Sequence, residues 1–309
     1  MNPALNRYVN SSRLGLSNYK RDQIICWVIT ALERSGRDKE IIPLCEKEAP
    51  ITASYTRLVN ILIGKKQYDK AEEWIQRGIS QTKDQFPGIT TALRELLLNI
   101  RTKQKKPESI TSLRVYEYVY YPSVKAYQEC KETSEKIKKW ERVRTCILTY
   151  HETGKLPLEQ KECPLLQPDV EFSGTRTNCE YPMIRELISI YIFEKDPEKV
   201  LFWYDRGITE RRRWFINTDE IANAIKTYSP ERAVEMWKVT AEGLINRVNP
   251  SAYRDAAVYL RKAEKVMNEI KKHEIWDKYI LELRNIHIRK IRLLEILDRM
   301  NKKPISKIR

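Results

Sequence analysis

Glycine is scarce, nine residues in 309. Folds rich in tight turns draw on glycine for positive φ, so this scarcity argues against a turn-rich β architecture. The three histidines, His151, His273 and His287, lie in three different segments. Zinc-protease spacing HExxH is missing: His151-Glu152 leads to Lys155, and His273-Glu274 to Asp277, where a second histidine is required. The six cysteines, Cys26, Cys45, Cys130, Cys146, Cys163 and Cys179, form no CxC, CxxC or CxH group. They read as structural thiols of a reducing, cytoplasmic compartment, with no metal site. A phosphate loop would need glycine at position 59, which is Val59, before Gly64-Lys65. There is no GxSxG. The acids are scattered, whereas acid–base chemistry needs converging groups. Catalytic residues and cofactors are therefore not expected. No uncharged apolar run is long enough to span a bilayer, and the first 22 residues have no continuous apolar core of a secretory leader.

Helix formers and charge are plentiful. Apolar residues make up 41% and charged residues 32%, enough for both a packed core and a charged surface, and Ala, Leu, Ile, Glu, Lys and Arg dominate. The formal net charge is +15, which favours acidic partners or polyanions. Nine Lys or Arg against two acids fall in the last 26 residues, Arg284 to Arg309, a net of +7.

Helical periodicity covers most of the chain. Asp22 is expected to cap a helix through "QIICWVITALERSG", with Ile25, Val28, Ile29 and Leu32 on one stripe and Gly36 as its stop. "ASYTRLVNILIGKKQYDKAEEWIQRGISQT" reads as two antiparallel helices joined at Gly64-Lys65-Lys66. Tyr68, Ala71, Ile75 and Ile79 form a stripe on the second, with Trp74 beside it. The "YDKAEEWI" pattern returns in altered form before Val143, Val200 and Ala233, which correspond to Ala71. The last interval, Pro197 to Pro230, is near the period of ~34 residues of tetratricopeptide-like helix pairs. Pro197 and Pro230 suit first helical turns, where a missing N–H costs nothing. The tyrosines of "RVYEYVYYPSVKAY" fit a packed helix, through Tyr116 and Tyr120 with Val119, better than a strand or a base-stacking platform. Glu152 to Pro182 holds four prolines and two glycines and reads as a long loop.

Two basic features are candidate contacts for a polyanion or partner. Arg211, Arg212 and Arg213 stand beside Trp214; they could grip a backbone while the indole stacks, or simply compensate helix C-terminal carbonyls. In the closing segment one helix is expected, with His287 on an apolar stripe with Ile280, Leu283, Ile291 and Leu294. Arg289, Arg292 and Arg299 would gather on its opposite side, and Lys302, Lys303, Lys307 and Arg309 would follow the helix end near Asn301. Membrane docking is disfavoured, because that apolar stripe should be committed to neighbouring helices and lacks an exposed Trp or Phe anchor.

The runs "YDKAEEWIQRGI", "EKDPEKVLFWYD", "YSPERAVEMWKVTAEGLI", "YRDAAVYLRKAEKVM" and "WDKYILELRNIHIRKIRLLEILDRM" resemble the C-terminal helical region of prokaryotic SWIM zinc-finger proteins. The proline-bearing "GKLPLEQKECPLLQP" is similar to a loop at the same place in that region. The likeness runs from about Ile24 to Pro304. The family's CxC…CxH zinc module has no counterpart here, so its zinc-dependent role does not carry over. What the resemblance implies is a helical-repeat partner region, either standing alone as a subunit or left from a longer gene.

The expectation is an all-α, right-handed solenoid of degenerate tetratricopeptide-like antiparallel helix pairs. It comprises a polar segment at 1–21, a helical half at 22–153, a Pro/Gly loop at 154–180, and a second helical half at 181–309 ending in a basic helix and tail. Such a stack serves as a scaffold binding a protein or peptide on its concave face. Electrostatic binding of DNA or RNA is the alternative, and a metal-independent enzyme the least supported.

Overall fold

A computed structural model describes residues 3–168, 180–210 and 217–300, with side chains from residue 18 onward. Among the described residues the protein is all-α: fifteen α-helices, two short 3₁₀ turns and no strand. It divides into two compact units, Met1–Tyr150 with Lys155–Cys179, and His151–Gly154 with Glu180–Arg309.

The first unit contains α1 (Pro3–Arg34), α2 (Ile41–Thr52), α3 (Tyr55–Gly64), α4 (Tyr68–Thr82), α5 (Pro87–Lys103), α6 (Pro107–Tyr120), α7 (Val124–Lys136) and most of α8 (Trp140–Thr153). From α1 to α7 each helix packs on the next, and α3 also packs on α5. Asp22 does not start a helix as expected: α1 begins at Pro3 and runs through Asp22. Asp22 is a tertiary ligand instead, accepting two hydrogen bonds from the Arg57 guanidinium at 2.8 and 2.7 Å. Gly36 does follow the helix end, with φ +71°. Tyr116, Tyr118 and Val119 are buried in α6, and the Tyr118 ring lies 5.7 Å from that of Tyr127, so these tyrosines are core residues of a helix.

The second unit contains α9 (Ile184–Glu194), α10 (Pro197–Thr209), α11 (Thr218–Ile225), α12 (Pro230–Ile245), α13 (Pro250–Glu269), α14 (His273–Ile286) and α15 (Ile291–Met300). Helices α9 to α14 pack in succession, and α13 also receives α15. Asp219 ties three of them together: it accepts from Trp237 Nε1 at 2.7 Å and from Lys262 Nζ at 2.6 Å. At the start of the unit Gly154, φ +82°, lies under the Tyr181 ring, where a β-carbon would come within 2.8 Å of it.

The sequence repeat has a structural counterpart. Ala71, Val143, Val200 and Ala233 are each the fourth residue of their helix, α4, α8, α10 and α12, and each is fully buried. Each also donates its backbone N–H to the residue just before the helix, at 3.0 or 3.1 Å. A side chain this small or β-branched at a buried first turn lets the neighbouring helix approach closely.

A second regularity joins the helices. Lys66, Lys105, Lys138, Lys195 and Lys271 all adopt positive φ, between 56° and 59°. Each sits two residues before a new helix: α4, α6, α8, α10 and α14. In every case the N–H of the following residue returns to a carbonyl five positions back, at 2.9 to 3.0 Å. This satisfies carbonyls that the ending helix leaves orphaned. Lysine in place of the usual glycine puts a cation beside those carbonyls. Proline at the first turn of α5, α6, α10, α12 and α13 restarts the chain with φ already set.

Candidate functional site

Two surfaces of the second unit are candidates, one basic and one concave. The basic surface departs from the single closing helix expected from periodicity. Helix α14 stops at Ile286, and residues 287–290 form a turn before α15. Lys290 holds that turn: its N–H donates to the His287 carbonyl at 2.8 Å, and its Nζ reaches the Ile245 carbonyl at 3.1 Å. His287 therefore sits in a half-buried turn, not on a helical stripe. Burial, then the nearby Lys290 charge, moves its pKa below the ordinary imidazole value.

Leu293 and Leu297 are the buried anchors of α15, while Ile291 is 70% exposed, so the expected apolar stripe is not committed along its length. Arg289 lies in the turn, Arg292 and Arg299 on α15, and all three are exposed. Arg284 pairs with Asp298 at 2.5 Å across the α14–α15 bend, which removes one cation from the free basic surface. Arg211, Arg212, Arg213 and Trp214 lie outside the described residues, as do Lys302, Lys303, Lys307 and Arg309.

The concave feature was not singled out from the sequence. A cleft of about 560 Å³ opens where the α9–α10 turn meets α11. Tyr191 and Val200 are its buried floor, and Ala224 faces them from α11. Its polar groups are of both signs: Lys195 and Asp196 from the turn, Glu220 and Asn223 from α11. Asp196 is fixed by its capping role, accepting from the Lys199 N–H at 3.0 Å. Asn223 Nδ2 donates to the Asp219 carbonyl at 2.8 Å, which leaves its amide oxygen available to a ligand donor. An apolar floor with a few fixed polar groups suits an inserted side chain of a peptide. The local signal for this cleft was the "EKDPEKV" helix start; its other wall comes from a helix about 25 residues later, which periodicity does not connect.

Among the described residues no group of three or more His, Cys, Asp or Glu is placed to hold a metal ion, and no helix is long and apolar enough to cross a membrane. No family model matches the chain, and neither a curated protein nor a solved structure is found to match it.

Proposed function

We propose that the protein is a non-catalytic scaffold of the cytoplasm: a right-handed solenoid of tetratricopeptide-like helix pairs that holds a segment of a partner protein in the α9–α11 cleft. The observation that carries this is the recurrence of one joint. The same lysine turn, helix start and buried fourth residue appear at α4, α8 and α10. Packing of α3 on α5, and of α13 on α15, adds the next-but-one contacts that a helical stack makes. The resemblance to the helical region of SWIM zinc-finger proteins, without the zinc module, fits a partner-binding subunit.

The test is residue-level cross-linking of the protein with its copurifying partner, repeated on Ala224→Arg. Cross-links that map to residues 191–227 and vanish in the variant, at unchanged melting temperature, support the proposal. Cross-links elsewhere, or a variant that binds as before, overturn it. Nucleic-acid binding is the second reading, favoured by the exposed Arg289, Arg292 and Arg299. It predicts affinity for DNA or RNA that falls steeply with added salt, whereas apolar insertion into the cleft is nearly salt-insensitive.

A further inference from the structure

Cys146 and Cys163 are 17 residues apart in sequence, and nothing in their spacing links them. The fold of the first unit brings their side chains into hydrogen-bond contact. Cys146 is buried on α8, and Cys163 is half-buried in the non-helical segment that follows it. That segment is pinned back on α8 and α6 at several points. Gln160 Nε2 donates to the Cys146 carbonyl and to the Lys155 carbonyl, both at 2.9 Å. Arg142 Nη2 donates to the Glu162 carbonyl at 2.9 Å. Farther along, the Leu166 N–H reaches Ser112 Oγ at 3.0 Å, and the Leu158 N–H reaches the Tyr116 hydroxyl at 3.3 Å. A cleft of about 460 Å³ lined by Arg142, Thr145, Cys146, Lys155 and Gln160 opens beside Cys146, and Cys163 is itself partly exposed.

The two thiols are chemically unequal. Cys146 donates its S–H toward Cys163, the Leu165 N–H donates to the Cys163 sulfur, and the Arg142 guanidinium lies nearby. These favour the Cys163 thiolate against the opposing effect of burial, and its pKa falls below that of an ordinary thiol. Donation to Cys163, burial and the Glu162 carboxylate raise Cys146, while Arg142 offsets part of that. The contact thus sets the more readily ionised thiol, Cys163, against one that burial and the contact itself hold protonated.

We propose that Cys146 and Cys163 form a peroxide-responsive dithiol, whose oxidation locks the segment after α8 onto that helix by a disulfide. The Cys163 thiolate attacks one oxygen of hydrogen peroxide, the O–O bond breaks, and hydroxide leaves, giving a sulfenic acid. The Cys146 sulfur, giving up its proton, then attacks the Cys163 sulfur; the S–S bond forms and the sulfenic oxygen departs as water. Two thiols lose two electrons, and one peroxide becomes two waters. A thiol reductant reverses the bond.

The experiment uses the full chain at neutral pH, treated with stoichiometric hydrogen peroxide, alkylated without reduction, and digested for mass spectrometry. The expected result is a peptide pair linked Cys146–Cys163, with Cys45 and Cys130 still alkylatable after unfolding. In Cys146→Ser the trap dimedone should label Cys163 as sulfenic acid, and in the unoxidised native protein Cys163 should react with iodoacetamide faster than the exposed Cys26. The rate comparison needs no variant, so a poorly folded Cys146→Ser does not weaken the test. Linkage of Cys163 to Cys179, oxidation confined to Cys26, or a Cys163 alkylation rate below that of Cys26 would overturn the proposal.

Discussion

Among the described residues, Val248 is the one whose backbone conformation least suits its side chain. It adopts φ 54° in the turn between α12 and α13, where lysine stands at the equivalent turns and glycine would be least strained. A β-branched side chain there is a genuine outlier, at roughly 1–2 kcal/mol. Its side chain is 66% exposed and packs little in exchange. Val248→Gly should therefore stabilise the protein by about 1 kcal/mol, read as a higher urea midpoint at unchanged slope. Gly78 is the opposite case. It sits where α4 crosses α3 and α5, and a β-carbon would come within 2.7 Å of Leu93 Cδ1 and 2.9 Å of Tyr55 Cγ. The leucine tip can turn aside, but the tyrosine is fixed through its hydroxyl, which donates to Gln81. Gly78→Ala gains helix propensity of about 1 kcal/mol yet should still be destabilising overall, because overpacking costs roughly 1–3 kcal/mol. A midpoint equal to or above that of the parent would contradict this. Asp22 shows why single residues mislead. As a local signal it is a helix cap, but its partner Arg57 is 35 positions away, and no local rule points to it.

Helices α4 and α5 are held together by a polar clasp as well as by their core. Arg101, buried at the end of α5, donates to Glu72 Oε2 at 2.7 Å, and Gln104 Nε2 donates to Glu72 Oε1 at 2.9 Å. Burial acts to raise the Glu72 pKa, but these donors outweigh it, and the group lies below the ordinary carboxylate value. The sign follows from that depression. The clasp stabilises fully above the unfolded carboxylate pKa, and the contribution is lost as pH falls through the lower folded value. Glu72→Gln should flatten the acid limb of the stability-versus-pH curve, while Arg101→Met should cost about 2 kcal/mol near pH 7, because it leaves a half-buried carboxylate with Gln104 but without its cation. The helix pair α3–α4 was legible because its stripes and its Gly64-Lys65-Lys66 joint are local, and the start of α10 because Pro197 marks it. The α14–α15 bend was not: Ile280, Leu283, Ile291 and Leu294 keep helical spacing across it, and the break depends on Lys290 reaching Ile245, 45 residues earlier.

Across the molecule, charge and core behave as separate systems. The net charge of +15 acts at long range and is screened by salt. The buried faces that define the helix pairs carry few charges. Replacing Arg289, Arg292 and Arg299 together by Gln should therefore lower affinity for a polyanion such as heparin and reduce the salt slope by about 3, with little change in melting temperature. Unchanged elution from a heparin column would show that the exposed arginines are not the contact. Helical class and the recurring helix start at Ala71, Val143, Val200 and Ala233 could be read from the chain because both arise within a few residues; the lysine turns before three of those starts show only in the backbone. The α9–α11 cleft and the Cys146–Cys163 contact could not, since each is made by segments that meet only after folding.

The five lysines at the helix joints are all exposed, and trypsin cuts after lysine. Each joint is closed by its own backbone hydrogen bonds, so cleavage there waits for that joint to open. A brief digest should release fragments ending at Lys66, Lys105, Lys138, Lys195 and Lys271, and the order of their appearance would rank the helix pairs from loosest to firmest.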